Sequence, residues 1–464
     1  MDCALAAKIL FSSFQLPPST NSYWRGLRHT TFLCVVVLTL MFAALPATAS
    51  PPADKGQLSS LDRATIELMA KDASEAVKKN YFDPTFGGLD FNAAYASAQQ
   101  AIANAGSVHE GYDAIADMLA KLNDSHTIFV PPEQPFTVEQ GWDMQLIGDK
   151  CFVTYVKHGS DAEAQGLKPG DEITELENVR PTRTNWDDLT YRIKMLTPRS
   201  SLHLVVSSPG GTPGLKTIAS VVKKRAGSFD LTGNQLWIYI HQYDSDMEKY
   251  DSHVVTTQDV VVFRMRSFNL KEEAVAGQIH KAEKSKALIL DLRGNGGGSE
   301  DLMLSMLSEV FDRTITVGET IGRSKPKTIT AKGGSHAYSG KLIVLVDSDS
   351  ASASEVFARV VQLEKRGPVI GDQTAGAVRR AIMKDFVHGQ GQQYAYGAEI
   401  TVTDLKMTDG KSLEKVGVTP DEILLPTAQQ LAAGEDPQLA RAFELAGVKL
   451  SPKQVGTLFP RSEK

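Results

Sequence analysis

Cysteine is scarce: there are three in 464 residues, too few for a disulfide framework. Positive charge holds no majority. Forty-nine Lys and Arg stand against 55 Asp and Glu, a formal charge of −6, so nothing draws the whole chain to nucleic acid and no such partner is expected. The ten histidines include no H-E-x-x-H pair, and the cysteines are dispersed, so no metal site is expected. Hydrophobic residues make up 42% and charged residues 22%, which argues against disorder, a coiled coil or a multi-span membrane protein. What remains is a globular chain of two to four domains at roughly 100–200 residues each.

Arg25, Arg28 and His29 precede the apolar run Phe32–Leu45, which leads to Pro46 and Ala47-Thr48-Ala49. A positive flank, an apolar core and an A-x-A exit make up a secretory signal. The run's 14 residues would reach about 21 Å as a helix, against a hydrocarbon layer of roughly 30 Å. Residues 1–49 are therefore expected to be removed, with the mature protein exported to the periplasm or beyond. An uncleaved anchor facing the periplasm is the alternative, and only then is membrane contact expected. Cleavage would leave Cys151 as the single cysteine and a formal charge of −8.

Residues 50–134 read as an N-terminal helical domain. Ile66, Met69 and Ala70, then Phe91, Ala94, Ala98 and Ile102, then Tyr112, Ile115, Met118, Leu119 and Leu122 keep three-to-four spacing. The character changes over residues 135–209. Cys151–Val156 and Leu202–Ser207 read as strands, Asp187–Leu196 as a helix, and Gly166-Leu-Lys-Pro-Gly-Asp as a turn. The run VKHGSDAEAQGLKPGDEI resembles a PDZ domain of the circularly arranged kind found in bacterial proteases, with Asp161 where proline is common. A linker domain without ligand is the alternative. The resemblance implies capture of an extended chain end, added as a strand with its carboxylate in a nest of N–H groups. Gly141, Trp142, Asp143 and Met144 are the candidate carboxylate loop.

From residue 210 to 430 strands and helices alternate. Val260–Met265, Ala287–Leu292 and Leu342–Val346 are continuous apolar runs, the mark of strands covered on both faces, so the fold class is α/β with a largely parallel sheet. Residues 431–464 read as a C-terminal helical tail. Three segments carry potential chemistry. Asp291-Leu-Arg-Gly-Asn-Gly-Gly-Gly follows a buried strand, where glycines suit backbone N–H groups aimed at a ligand or oxyanion. It lacks the lysine of a phosphate loop and the downstream acid of a dinucleotide site, so no cofactor is expected. Ser350-Ala-Ser-Ala-Ser-Glu stands at a strand-to-helix junction, where a serine is either a cap or a nucleophile set at the positive helix end. Asp124-Ser-His-Thr offers a histidine, which a serine nucleophile needs as base.

Together DLRGNGGG, SDSASASEVFARVVQ with RGPVIGDQTAG, and LEKVGVTPD resemble the S41 family of serine peptidases, the C-terminal processing and tricorn-like proteases. The resemblance implies a peptidase core of the ClpP/crotonase-like kind with Ser352 as nucleophile. The processing branch takes its base from a lysine 25 residues on, where this chain has Ala377. Arg379 and Arg380 stay protonated, and Lys384 is seven residues late. The tricorn-like branch uses a histidine preceded by a serine and a distant glutamate, which here implies His126, Ser125 and Glu414. Gly297 and Ala353, with Gly296 in reserve, are the expected oxyanion donors. Protein or peptide substrates, held through free C-termini, are the expected partners; an inactive PDZ-bearing scaffold is the alternative.

Overall fold

The computed structural model describes residues 58–224, 252–388 and 394–459. The apolar run and its flanks lie outside them. Among the described residues no helix is long and apolar enough to cross a membrane.

Helices α1 (Ser60–Asn80), α2 (Phe91–Asn104) and α3 (Val108–Ala120) each begin at a side-chain cap: Ser59, Asp90 and Ser107 accept N–H groups from the first turn. Their apolar faces meet in one core, which also takes in Phe129 of strand β1 (Ile128–Val130) together with Tyr396, Ala398 and Ile400. The helical segment is thus no free-standing domain. Its core is closed by a strand from far down the chain.

The PDZ segment builds a five-stranded antiparallel sheet. After β2 (Phe136–Glu139) come β3 (Trp142–Ile147), β4 (Lys150–Val156), the short helix α4 (Asp161–Ala164), β5 (Glu172–Leu176), helix α5 (Trp186–Tyr191), β6 (Ser201–Ser207), β7 (Gly214–Ala219) and β8 (Val221–Lys224). The sheet order is β3-β4-β5-β6-β7, while β8 returns to pair with β2. The sheet itself runs past the expected boundary at residue 209. The hairpin β6–β7 carries the sheet to Ala219, and only Ile218 of β7 is buried, so an edge strand this polar leaves little periodic signal.

The rest of the chain holds β9 (Ser252–Thr257), β10 (Val260–Met265), α6 (Glu272–His280), β11 (Ala287–Asp291), α7 (Glu300–Val310), β12 (Ile315–Gly322), β13 (Lys327–Ala331), β14 (Lys341–Val346), α8 (Ala353–Leu363), β15 (Val369–Gly371), β16 (Arg380–His388), β17 (Tyr394–Met407), β18 (Glu422–Ile423), α9 (Ala428–Ala433), α10 (Pro437–Leu445) and α11 (Pro452–Gly456). The main sheet runs β18-β15-β14-β11-β10-β9 and is parallel except for β9. Helices α6, α7 and α8 cover one face. The other face is covered by Leu439, Phe443, Val455 and Phe459, so the residues expected as a tail form a layer of the core. Deleting a side chain such as Phe443 costs about 3–5 kcal/mol in a core of this kind. A second sheet, β1-β17-β12-β13 with β16 on β17, joins the helical segment to the C-terminal half.

Candidate active site

The turn after α3 is held from four sides. Asp124 Oδ1 accepts the His126 N–H at 2.8 Å and the Thr401 hydroxyl at 2.6 Å. Its Oδ2 accepts from Arg379 at 2.8 Å and from the Tyr81 hydroxyl at 3.2 Å. Burial works to raise the Asp124 carboxyl, but these donors and the guanidinium outweigh it and hold the group below the usual carboxylate range. Arg379 also lies 4.0 Å from Glu414 Oε1 and stacks over the Phe82 ring.

On this base stands a linear hydrogen-bond chain. Glu414 Oε1 accepts the Ser125 N–H at 2.9 Å, and its Oε2 accepts the Ser125 hydroxyl at 2.9 Å. Ser125 Oγ lies 2.7 Å from His126 Nδ1. Because the hydroxyl hydrogen goes to Glu414, Oγ is an acceptor toward the ring, so Nδ1 carries the proton and Nε2 keeps its lone pair. Burial lowers the His126 pKa, against the pull of Glu414, Asp124 and Asp187. Asp187 reaches this site from α5 of the PDZ segment, with Lys415 Nζ 4.0 Å away.

Ser352 caps α8 at φ +54° and ψ −117°, a conformation that costs a non-glycine residue on the order of 1–3 kcal/mol. Its N–H donates to Ala377 O at 2.8 Å and to Glu355 Oε2 at 3.0 Å. Glu355 is fully buried and also accepts from Thr374, Gly376 and Ala377. Burial pushes its carboxyl up to about 7, against the pull of those donors. One residue after Ala377, the Val378 N–H donates to Glu414 Oε2 at 3.2 Å. The Ser352 turn and the histidine chain are thus tied to neighbouring residues of one segment. Lys384 sits further along that segment, in β16 opposite Ala398.

The glycine run lies against Ser352. A Cβ on Gly297 would come within 2.6 Å of Ser352 Cβ and 3.2 Å of the Ala353 nitrogen, so no larger residue fits. The Gly297 N–H, however, donates to Asn295 Oδ1 at 2.9 Å, so the first-choice oxyanion donor is already engaged. Among the described residues no acceptor faces the N–H of Gly296 or Ala353.

Trp142–Met144 are strand, not loop. Gly141 makes the turn at φ +72°, and a Cβ there would meet Ser160 Cβ at 2.8 Å. Trp142 and Met144 point into the PDZ core. Gly141, Trp142 and Asp143 line a cleft of about 390 Å3 with Tyr155, Lys157, Ile193 and Lys194; Met144 does not. The Tyr155 hydroxyl is buried with no hydrogen-bond partner. Among the described residues no cluster of His, Cys, Asp or Glu could hold a metal ion.

Asp124, Arg379, Glu355 and Thr374 were not singled out as functional from the sequence. Asp124 and Glu355 lie inside the recognised motifs, where only a need for buried donors would have marked them.

Residues 259–424 match the model of peptidase family S41 and residues 136–207 that of the PDZ domain. The chloroplastic C-terminal processing peptidase of Tetradesmus obliquus is 25% identical over 382 residues, covering 78% of this chain and 77% of its own length. The carboxyl-terminal-processing protease of Synechocystis is 26% identical over 363 residues, covering 74% and 79%. Mature CPAF complexed with lactacystin shares the fold, with a TM-score of 0.62 at 15% identity over 86% of this chain and 99% of that one. The relatives are processing proteases, and the reading as an inactive scaffold falls away. Residues 259–424 thus form a peptidase domain of family S41 and residues 136–207 a PDZ domain, in a chain similar to carboxyl-terminal-processing proteases.

Proposed function

We propose that this peptidase works through a Ser352–His126–Glu414 arrangement in which Ser125 links the last two. The observation that carries it is the Glu414–Ser125–His126 hydrogen-bond chain, which leaves Nε2 as the free base, together with alanine at position 377. His126 Nε2 takes the Ser352 proton as Oγ attacks the substrate carbonyl. The imidazolium that forms is stabilised through Ser125 by Glu414, and its proton passes to the leaving amine. Water then repeats the sequence on the acyl-enzyme ester. The developing oxyanion is met by the Ala353 N–H at the start of α8, with Gly296 as second donor in place of Gly297.

Proteins or peptides are the substrates, and the cleft at Gly141–Asp143 takes their free C-termini. Residues 25–49 direct export, and N-terminal sequencing of the native protein should begin near Ser50. The arrangement itself is tested by labelling with a fluorophosphonate serine probe. Mass spectrometry should place the adduct on Ser352, and labelling should slow by orders of magnitude in His126→Ala. An adduct on another serine, or undiminished labelling in the folded variant, overturns it.

A further inference from the structure

Ser352 stands in a conformation that its own backbone disfavours, so something outside the residue must hold it. The Ser352 N–H has two acceptors, and the side-chain one is Glu355 Oε2. That carboxylate sits at the third position of α8 and is wholly enclosed.

Its other three donors all come from one stretch of chain. The Thr374 hydroxyl and the Gly376 N–H lie on Oε1, at 2.5 and 2.8 Å, and the Ala377 N–H lies on Oε2 at 2.9 Å. Thr374 Oγ1 in turn accepts the Val418 N–H at 2.6 Å. The same stretch continues into Val378, whose N–H is on Glu414, and Arg379, which grips Asp124. A single carboxylate therefore ties the nucleophile's backbone to the segment that carries the partners of the base. An ordinary helix cap requires none of the second set of bonds.

The geometry points to Glu355 as a positioning residue that sets the register between Ser352 and His126. It touches no reacting atom. It acts by fixing both ends of the path along which the Ser352 proton travels, and small misplacement on such a path is expressed in the rate of the chemical step. All four neighbours donate, so an amide in place of the carboxylate turns an N–H toward at least one of them. The inference rests on Ser352 being the nucleophile.

The test uses Glu355→Gln and Glu355→Asp in the full chain, assayed at pH 8 with rates normalised to the folded fraction from circular dichroism. Gln removes a buried charge while keeping the shape, so the fold is expected to survive. For E355Q, kcat should fall about 10–100-fold with KM within about twofold, as for an interaction used only in the transition state. Probe labelling of Ser352 should slow in proportion, and E355D, which keeps the charge, should recover part of the loss. Wild-type kcat in folded E355Q overturns the inference, as does a loss that vanishes on normalisation. Activity surviving in Ser352→Ala would instead overturn the assignment of the nucleophile, whatever E355Q does.

Discussion

Replacing Ser125 by alanine removes one oxygen from the middle of the chain that orients His126. The hydroxyl is the only acceptor within 2.7 Å of Nδ1 and the only donor from a side chain on Glu414 Oε2 among the described residues. Glu414 itself stays in place, because the backbone N–H groups of residue 125 and Val378 still lie on it. The variant thus leaves a ring N–H without its partner in a half-buried site, a loss of about 1–3 kcal/mol. Expressed in the transition state, where the ring becomes charged, that is about 5–150-fold in kcat. Glu414→Gln should be worse. Its amide can donate to Ser125 Oγ, the hydroxyl then donates to Nδ1, and the lone pair ends up on the wrong nitrogen. Losing the tautomer in this way is expected to reduce kcat by on the order of 10³–10⁴. Both are read from kcat and KM on an internally quenched peptide, with melting curves beside them. Wild-type kcat in Ser125→Ala, or the reverse ranking of the two variants, refutes the relay.

The acid limb of kcat/KM should lie below pH 6.5, because burial lowers His126 despite Glu414, Asp124 and Asp187 around it; a midpoint above 7 contradicts this. Asp124 is held low by its donors, so it adds stability above its unfolded value of about 3.9 that is lost as pH falls through its lowered folded value. Asp124→Asn should flatten the decline of melting temperature in that acid range. A peptide with a free apolar C-terminal residue should bind the Gly141–Asp143 cleft more tightly than its amidated form; equal affinities in a calorimetric titration exclude carboxylate capture.

Continuous apolar runs made β10, β11 and β14 readable, and three-to-four spacing did the same for the three N-terminal helices. The strands Ile315–Gly322, Lys327–Ala331 and Arg380–His388 escaped because they are half-exposed and mix both faces, and the mostly buried Tyr394–Met407 escaped because Glu399, Thr401 and Asp404 interrupt its apolar run. The C-terminal helices were visible as helices, but nothing in their own pattern says that Phe443 and Phe459 close the main sheet. At the site, residue types could be assigned by motif, whereas the bonds between them could not. Ser125 and Glu414 are 289 positions apart, and Arg379 reaches Asp124 across 255. The engagement of the Gly297 N–H by Asn295 is likewise a matter of loop conformation that several glycines leave open.

The account turns on histidine, not lysine, being the base for Ser352. The most direct measurement is peptide hydrolysis by Ser352→Ala, His126→Ala, their double variant and Lys384→Ala, each shown to be folded by circular dichroism. The account predicts that the first two each lose orders of magnitude, that the double variant is little worse than either because the groups act as a unit, and that Lys384→Ala keeps most of its activity. A folded, fully active His126→Ala beside a dead Lys384→Ala would contradict it.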